Sequence, residues 1–160
     1  MNEWSTQMLG LIDEKLKDAR PSDLRFFRVE EFKRNIERVG DYSGKCPVCN
    51  KEQINIRDIT GKIDVAIESP GKTRRDYDRL MNRLATHMHK VHGYYTPNHF
   101  TYRYSSYGML IGTGIGFMLM MLLSKNNMAF ISAGFSLGLL IGYLYGGRKD
   151  KKIRQQKMLM

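Results

Sequence analysis

Two long stretches without a charged side chain constrain the fold of this 160-residue chain more than any other feature. They cover residues 104–124 and 126–147, and only Lys125 separates them. At 1.5 Å rise per residue each stretch makes a helix of about 31–33 Å, close to the thickness of a bilayer's hydrocarbon core. Soluble domains rarely contain such stretches. We therefore predict a transmembrane hairpin over 107–147, with a pair of buried helices in a soluble core as the alternative.

Glycines recur at intervals of four residues in both stretches. Because this spacing places residues on one stripe of a helix, the sequence predicts a small-residue stripe on each span. Small residues let two backbones approach closely, which holds helices together in lipid. Either the two stripes face each other within the hairpin, or one faces another subunit; the sequence leaves both open. The predicted helix-packing residues are Gly108, Gly112, Gly116, Gly134, Gly138, Gly142 and Gly146.

Basic residues are distributed unequally around the two predicted spans. The C-terminal segment 148–160 contains six of them, whereas the turn between the spans contains only Lys125. Because positive residues collect on the cytoplasmic side of a membrane, this bias places the C-terminus in the cytoplasm. Two spans return the chain to its starting side, so the N-terminus is predicted to be cytoplasmic as well.

The formal net charge of +10 would suggest nucleic-acid binding if it were spread evenly along the chain. Residues 1–104 carry 19 basic and 15 acidic side chains, whereas 105–160 carry 7 and 1. Much of the excess therefore lies beside the predicted membrane, where anionic lipid attracts each basic residue by about 1 kcal/mol. Asp76 and Asp78 interrupt the one basic cluster in the first part, which argues against a nucleic-acid partner. That cluster consists of Arg74, Arg75, Arg79 and Arg83.

Two amphipathic helices are predicted in the first 40 residues. Apolar residues recur at intervals of three and four over 3–19 and again over 22–39, and Gly40 is a plausible helix stop. Neither helix can bury its apolar stripe alone. We expect them to fold back on the segment that follows, with an external partner or self-association as the alternative.

A Cys-x2-Cys pair begins the most informative part of the sequence. Cys46 and Cys49 can bind one metal ion through two thiolates on a tight turn. The residues that follow alternate apolar and polar at 53–59 and again at 63–67, which predicts a β-hairpin. A helical pattern over 74–92 comes next.

Histidines near the end of this helix complete the predicted site. On an ideal helix His87 lies about 40° from Val91, on the apolar face, and His92 lies in the last turn. His89 points toward solvent and is the spare candidate. Two thiolates and two imidazoles fill the tetrahedral sphere of zinc, so the site would be structural rather than catalytic. The preferred zinc ligands are Cys46, Cys49, His87 and His92.

The order of these motifs resembles the Cys2His2 zinc-finger pattern. The resemblance covers residues 46–92 and consists of the cysteine pair, the predicted hairpin and the His87-x4-His92 pair at a helix end. The chain departs from that family in the 37 residues that separate Cys49 from His87. The resemblance implies a metal-centred ββα unit that does not read DNA.

Two other chemistries fit this region less well. Redox Cys-x2-Cys pairs usually open a helix, whereas a strand is expected to follow Cys49. Residues 66–73 fit a relaxed phosphate-loop pattern, but Pro70 has no N–H for a phosphate, and Thr73 is explained as the cap of the next helix. No nucleophile–base pair is recognisable. We therefore predict neither an enzyme nor a nucleotide-binding protein.

The sequence as a whole predicts an α+β membrane protein in five segments. Amphipathic N-terminal helices (1–40) precede a small zinc-centred ββα module (41–93). An aromatic interfacial linker (94–106) leads into the glycine-striped transmembrane hairpin (107–147). A basic cytoplasmic tail follows (148–160).

This organisation favours a binding protein over an enzyme. We expect a membrane-anchored, zinc-stabilised cytosolic adaptor module that forms a small subunit of a larger membrane complex. A self-assembling glycine-zipper protein, either an oligomer or a pore, is one alternative. A membrane-tethered nucleic-acid binder is another. The expected partners are the lipid bilayer together with a second protein or further copies of the chain.

Overall fold

The computed structural model describes residues 2–123 and 128–160, and within those ranges it contains eight α-helices. The predicted turn around Lys125 lies outside the described residues. The chain divides into two compact units, Met1–Tyr94 with Met160, and Tyr95–Leu159. The helices are α1 (Glu3–Lys15), α2 (Pro21–Phe26), α3 (Val29–Tyr42), α4 (Pro47–Thr60), α5 (Ile63–Glu68), α6 (Lys72–His92), α7 (His99–Leu122) and α8 (Ala129–Gln155).

The predicted α+β fold is wrong. None of the described residues belongs to a β-strand, and Tyr95 and Leu159 form only an isolated bridge. The predicted zinc-centred ββα module is therefore wrong as well. The segment expected to form its β-hairpin consists of α4 and α5.

Helix α4 replaces the first predicted strand because its buried positions follow the helical period. Cys49 and Ile56, two turns apart, are fully buried, whereas Ile54 is 73% exposed. The alternation at 53–59 is part of a helix of 14 residues. Pro47 occupies the first turn of this helix, where a missing N–H costs nothing. The short period-2 pattern was therefore a coincidence within a longer helical one.

Helix α5 replaces the second predicted strand for the same reason. Ile63, Ala66 and Ile67 are buried, and this spacing of three and four is that of one helix face. Val65, which an alternating strand would have placed on the same face as Ile63, is 49% exposed. Over only five residues, the two periods share Ile63 and Ile67, so the apolar pattern alone could not separate them.

The N-terminal helices fold back on the segment that follows them, which is the first of the two predicted arrangements. Helices α1 and α3 bury their apolar stripes in one core with α4, α5 and α6. Packing of these faces, rather than intrinsic propensity, stabilises such short helices. The core includes Met8, Ile12, Leu16, Val29, Phe32, Ile36, Val39, Ile56, Ile63, Tyr77, Leu80, Leu84 and Met88.

Several helix boundaries in the first unit differ from the predicted ones. The expected helix 22–39 is interrupted at Arg28, which has a left-handed φ of 55°. Helix α3 does not stop at Gly40 but continues past it. The N-cap of α6 is Gly71 rather than Thr73, so the predicted capping side chain is not used. Capping patterns thus located these helices only to within a few residues.

In the second unit, α7 and α8 are both long and apolar enough to cross a membrane, and most of their apolar residues are exposed. Their glycine stripes face each other. A Cβ atom at Gly112 would overlap the carbonyl oxygen of Gly134, and one at Gly138 would overlap that of Gly108. No side chain larger than a hydrogen therefore fits between the two backbones. The same close approach occurs at Gly116, Gly142 and Gly146.

Three hydroxyl groups in the apolar part of the two helices donate to the backbone of their own helix. Thr113 Oγ1 lies 2.7 Å from the carbonyl oxygen of Met109, and Ser136 Oγ lies 2.8 Å from that of Ser132. Ser132 Oγ in turn lies 3.1 Å from the carbonyl oxygen of Ala129. The polar side chains that a pore could have used are thus satisfied locally.

A polar cluster joins the start of α7 to the charged end of α8. The carboxylate of Asp150 accepts hydrogen bonds from the backbone N–H groups of Phe100 and Thr101, at 3.0 and 2.7 Å. It also accepts one from the Thr101 hydroxyl at 2.5 Å. Lys149 donates to the Tyr104 hydroxyl at 2.8 Å. Asp150 therefore caps the first turn of α7 from the neighbouring helix.

Candidate metal site

The Cys-x2-Cys pair opens α4. Cys46 is the extended N-cap residue, Pro47 follows it, and Cys49 lies in the first turn. Backbone N–H groups are unpaired at a helix start. The N–H groups of Cys49 and Val48 donate to the Cys46 sulfur, and the bond from Cys49 contributes most to lowering the Cys46 pKa. The helix start thereby stabilises a thiolate at Cys46.

The two predicted histidine ligands lie near the end of α6. His92 is the last residue of that helix, and Gly93 follows in the left-handed conformation that commonly ends helices. The N–H of Gly93 donates back to the carbonyl oxygen of Met88. The ring centroids of His87 and His92 lie 5.1 Å apart. The tight helix end lets His92 turn toward the same side as His87.

All four predicted ligands come together at one point. Their ligand atoms lie within 4.8 Å of one another. The Nε2 atom of His87 lies 3.3 Å from the Cys46 sulfur and 3.4 Å from the Cys49 sulfur, and Nε2 of His92 lies 3.5 Å from the Cys49 sulfur. A tetrahedral zinc ion with Zn–S of about 2.3 Å and Zn–N of about 2.0–2.1 Å requires S–N separations of about 3.5 Å. The donor set and its spacing therefore fit a tetrahedral metal ion.

The protonation states of the cluster bear on how a metal would bind. Burial raises the pKa of the Cys49 thiol to about 12. Burial, together with the nearby His87, lowers the pKa of His92. His92 is consequently neutral at neutral pH, as a metal ligand must be, whereas Cys49 must lose a proton. Metal binding at this site therefore displaces a proton from the buried sulfur.

An aromatic layer from α3 covers one side of the cluster. The Tyr42 ring stacks on His92 with a centroid distance of 4.0 Å and an interplanar angle of 26°. Its hydroxyl lies 3.4 Å from that of Tyr94, and the Arg38 guanidinium lies 4.7 Å from the centroid of the Tyr94 ring. Sequence reasoning missed these residues. No spacing rule could have linked Tyr42 to His92, because the contact depends on how α3 packs against α6.

His89, the spare candidate, lies outside the cluster. It is exposed, and its Nδ1 atom lies 3.1 Å from the carbonyl oxygen of Tyr94. Of the five candidate ligands, the structure thus brings together the four that were preferred.

The arginines of the predicted basic cluster make structural contacts in the first unit. Arg74 donates to two backbone carbonyls of α5, at 2.7 and 3.0 Å. Arg79 forms an ion pair with Asp76 at 3.3 Å, and Arg83 forms one with Glu52 at 3.3 Å. These contacts lie within α6 or link α6 to α4 and α5.

A scan against protein-family models, a search of curated proteins and a search of solved structures each found no match.

Proposed function

We propose that this protein is a membrane-anchored docking module whose helical unit is stabilised by a structural zinc ion. The observation that carries the proposal is the convergence of Cys46, Cys49, His87 and His92 within 4.8 Å. In the proposed arrangement α7 and α8 cross the membrane, both chain termini face the cytoplasm, and the first unit recruits a protein partner. The protein would act as a small, non-enzymatic subunit of a larger membrane complex.

The donor chemistry supports zinc and a structural role. Two thiolates and two neutral imidazoles balance the charge of a divalent ion and leave no open coordination position. Such an ion would fasten the start of α4 to the end of α6, which are separated by the 37 residues between Cys49 and His87. Apparent binding free energies of about 10–16 kcal/mol are typical for zinc-finger peptides, so the ion could contribute much of the folding free energy.

An exposed apolar depression beside the metal cluster supports protein docking. It has a volume of about 460 Å³. Its walls include Val48, which is 46% exposed, and Val91, which is 61% exposed. Glu52 and Lys90 supply charges at its rim. An apolar centre with a polar rim is the usual composition of a protein interface.

The zinc part of the proposal is tested by comparing His87→Ala with His89→Ala. Both changes remove one imidazole from α6, but only His87 belongs to the cluster. Native mass spectrometry of the full chain in mild detergent should find one zinc ion in the wild type and in His89→Ala and none in His87→Ala. If loss of the zinc ion lowers the free energy of unfolding of His87→Ala by at least about 2 kcal/mol, the melting temperature of a domain this size falls by about 8–16 °C.

Full zinc occupancy in His87→Ala, or equal loss in both variants, would contradict the assigned site.

The docking part is tested in the same spectra, in samples purified from the native host. Val48→Asp with Val91→Asp should lose a co-purifying protein and keep zinc. Val65→Asp is the control, because Val65 is similarly exposed on α5 and does not line the depression. A partner that survives the double change would refute this docking surface.

The packing of the two apolar helices argues against self-assembly through the glycine stripes as the function of this protein. The stripes of α7 and α8 are occupied by each other within one chain, as the contact between Gly112 and Gly134 illustrates. A homo-oligomer with one zinc per chain and no second protein in the native spectrum would reverse that choice.

A further inference from the structure

A cavity of about 630 Å³ lies within the second unit, where the apolar helices meet the basic end of the chain. Its walls come from the first two turns of α7 and the last turns of α8. Two basic side chains and two tyrosines define its character. Its lining residues include Thr101, Tyr102, Tyr143, Asp150, Lys151 and Arg154.

The side chains that line this cavity carry a positive net charge, because two basic residues, Lys151 and Arg154, are set against one carboxylate. Asp150 is the one acidic residue among its lining residues, and its carboxylate already accepts three hydrogen bonds from Phe100 and Thr101. Lys151 and Arg154 are exposed, and neither forms an ion pair with a carboxylate in the described parts of the chain. Two positive charges are thus set against one negative charge, and Asp150 is engaged by the start of α7 rather than by an ion pair with Lys151 or Arg154.

The level of the cavity along the helices indicates what fills it. The charge-free stretch of α7 begins at Tyr104, and that of α8 ends at Gly147, so the cavity lies within about one turn of both boundaries. Tyr102 and Tyr143 are 70% and 57% exposed. Tyrosine rings with an exposed hydroxyl are typical of the interface between hydrocarbon and water. Phosphate groups of a bilayer lie at this same depth.

We propose that the cavity binds the phosphate of an anionic phospholipid, with Lys151 and Arg154 as its two charged donors. Tyr102 and Tyr143 would flank the glycerol region of the same lipid. The inference rests on the proposed placement of α7 and α8 in a membrane. A lipid suits the site better than free phosphate, because 630 Å³ is several times the volume of a phosphate ion and two of the walls are aromatic.

The test uses the full chain in nanodiscs of phosphatidylcholine with and without phosphatidylglycerol, and counts retained lipid by native mass spectrometry. The site variant is Lys151→Gln with Arg154→Gln. The matched control is Arg148→Gln with Lys152→Gln, which removes the same charge from the same helix at positions that do not line the cavity. Each lost charge-assisted hydrogen bond should weaken binding of phosphatidylglycerol by about tenfold. Both variants should lose the general attraction of two basic residues to anionic lipid, about fivefold for each residue, and only the site variant should lose the tenfold effect per donor in addition.

Selective retention of one phosphatidylglycerol by the wild type and the control, with loss in the site variant, supports the inference. Equal loss in both variants would overturn it in favour of diffuse attraction by the basic tail. Binding of inorganic phosphate in detergent as tightly as phosphatidylglycerol would overturn the lipid as the ligand. Carbonate extraction of cell membranes that contain the full chain separates two failures. A chain that is extracted refutes the membrane placement, whereas an inserted chain without lipid selectivity in nanodiscs refutes this site alone.

Discussion

Replacing Gly112 by alanine tests the packing of the apolar hairpin with the smallest possible change. A Cβ atom at Gly112 would overlap the carbonyl oxygen of Gly134 and lie 3.0 Å from the Cα atom of Gly138. Both neighbours are backbone atoms, so no rotamer change can relieve the overlap. The two helices must move apart, and the contacts along the whole stripe weaken together.

Two opposing effects determine how much Gly112→Ala changes the stability of the hairpin. Alanine is favoured over glycine in a helix by up to about 1 kcal/mol. Overpacking of a tightly packed site costs about 1–3 kcal/mol. Gly114 is the matched control, because a Cβ atom there meets nothing within 4 Å while its place in α7 is otherwise comparable. The difference in stability between Gly112→Ala and Gly114→Ala removes the propensity term, and we expect it to be about 1–3 kcal/mol.

The measurement is dissociation of the hairpin by SDS in a mild detergent. Fluorophores attached through noncanonical residues at Ser106 and Arg148 report the separation of the helix ends by energy transfer and leave both cysteines untouched. Gly112→Ala should dissociate at a lower SDS fraction than the wild type, and Gly114→Ala should not. If both variants dissociate at the same SDS fraction, the two stripes do not form the contact described, and packing between subunits becomes the better explanation.

Two further changes test the first unit. Tyr77→Phe removes a buried hydroxyl that donates to the carbonyl oxygen of Phe27 at 2.6 Å. Urea unfolding should therefore show that the free energy of unfolding falls by about 1–2 kcal/mol. An unchanged urea midpoint would mean that water replaces the bond. Tyr42→Leu removes the ring stacked on His92. Because a contact that orients a ligand is lost, transfer of zinc to a chelator should become faster by about tenfold or more. An unchanged transfer rate would mean that the stacked ring does not hold the imidazole.

The candidate site was predictable from sequence although the fold around it was not. Cys46 and Cys49 lie close together in any backbone that makes a tight turn, and donor chemistry then limits their partners to the nearby histidines. His87 could be assigned to the apolar face of a helix because α6 is long and strongly periodic. The choice of the four candidate ligands, which the structure brings close together, therefore depended on residue type and on one reliable helix. It did not depend on the segment between them.

That intervening segment is where sequence reasoning failed. The run from Gln53 to Ile59 alternates apolar and polar residues, yet Ile54 points to solvent and Ile56 to the core. Short apolar runs satisfy strand and helix periods equally, and tertiary packing decides between them. The resemblance to a zinc finger strengthened the wrong choice, because it supplied a hairpin where the apolar pattern was ambiguous.

The corrected fold removes one argument for a metal and supplies a better one. A strand after Cys49 was the reason for setting aside a redox role, but α4 begins at Cys46, as helices in redox Cys-x2-Cys pairs do. The choice between a metal site and a redox pair now depends on the two imidazoles. Redox exchange requires space beside a thiolate for a second sulfur to attack. Here the Nε2 atom of His87 lies 3.3 and 3.4 Å from the two sulfurs, and Cys49 is fully buried. The imidazole of His87 occupies space that an exchanging thiol would need beside the two sulfurs, so this geometry suits a bound ion better than redox exchange.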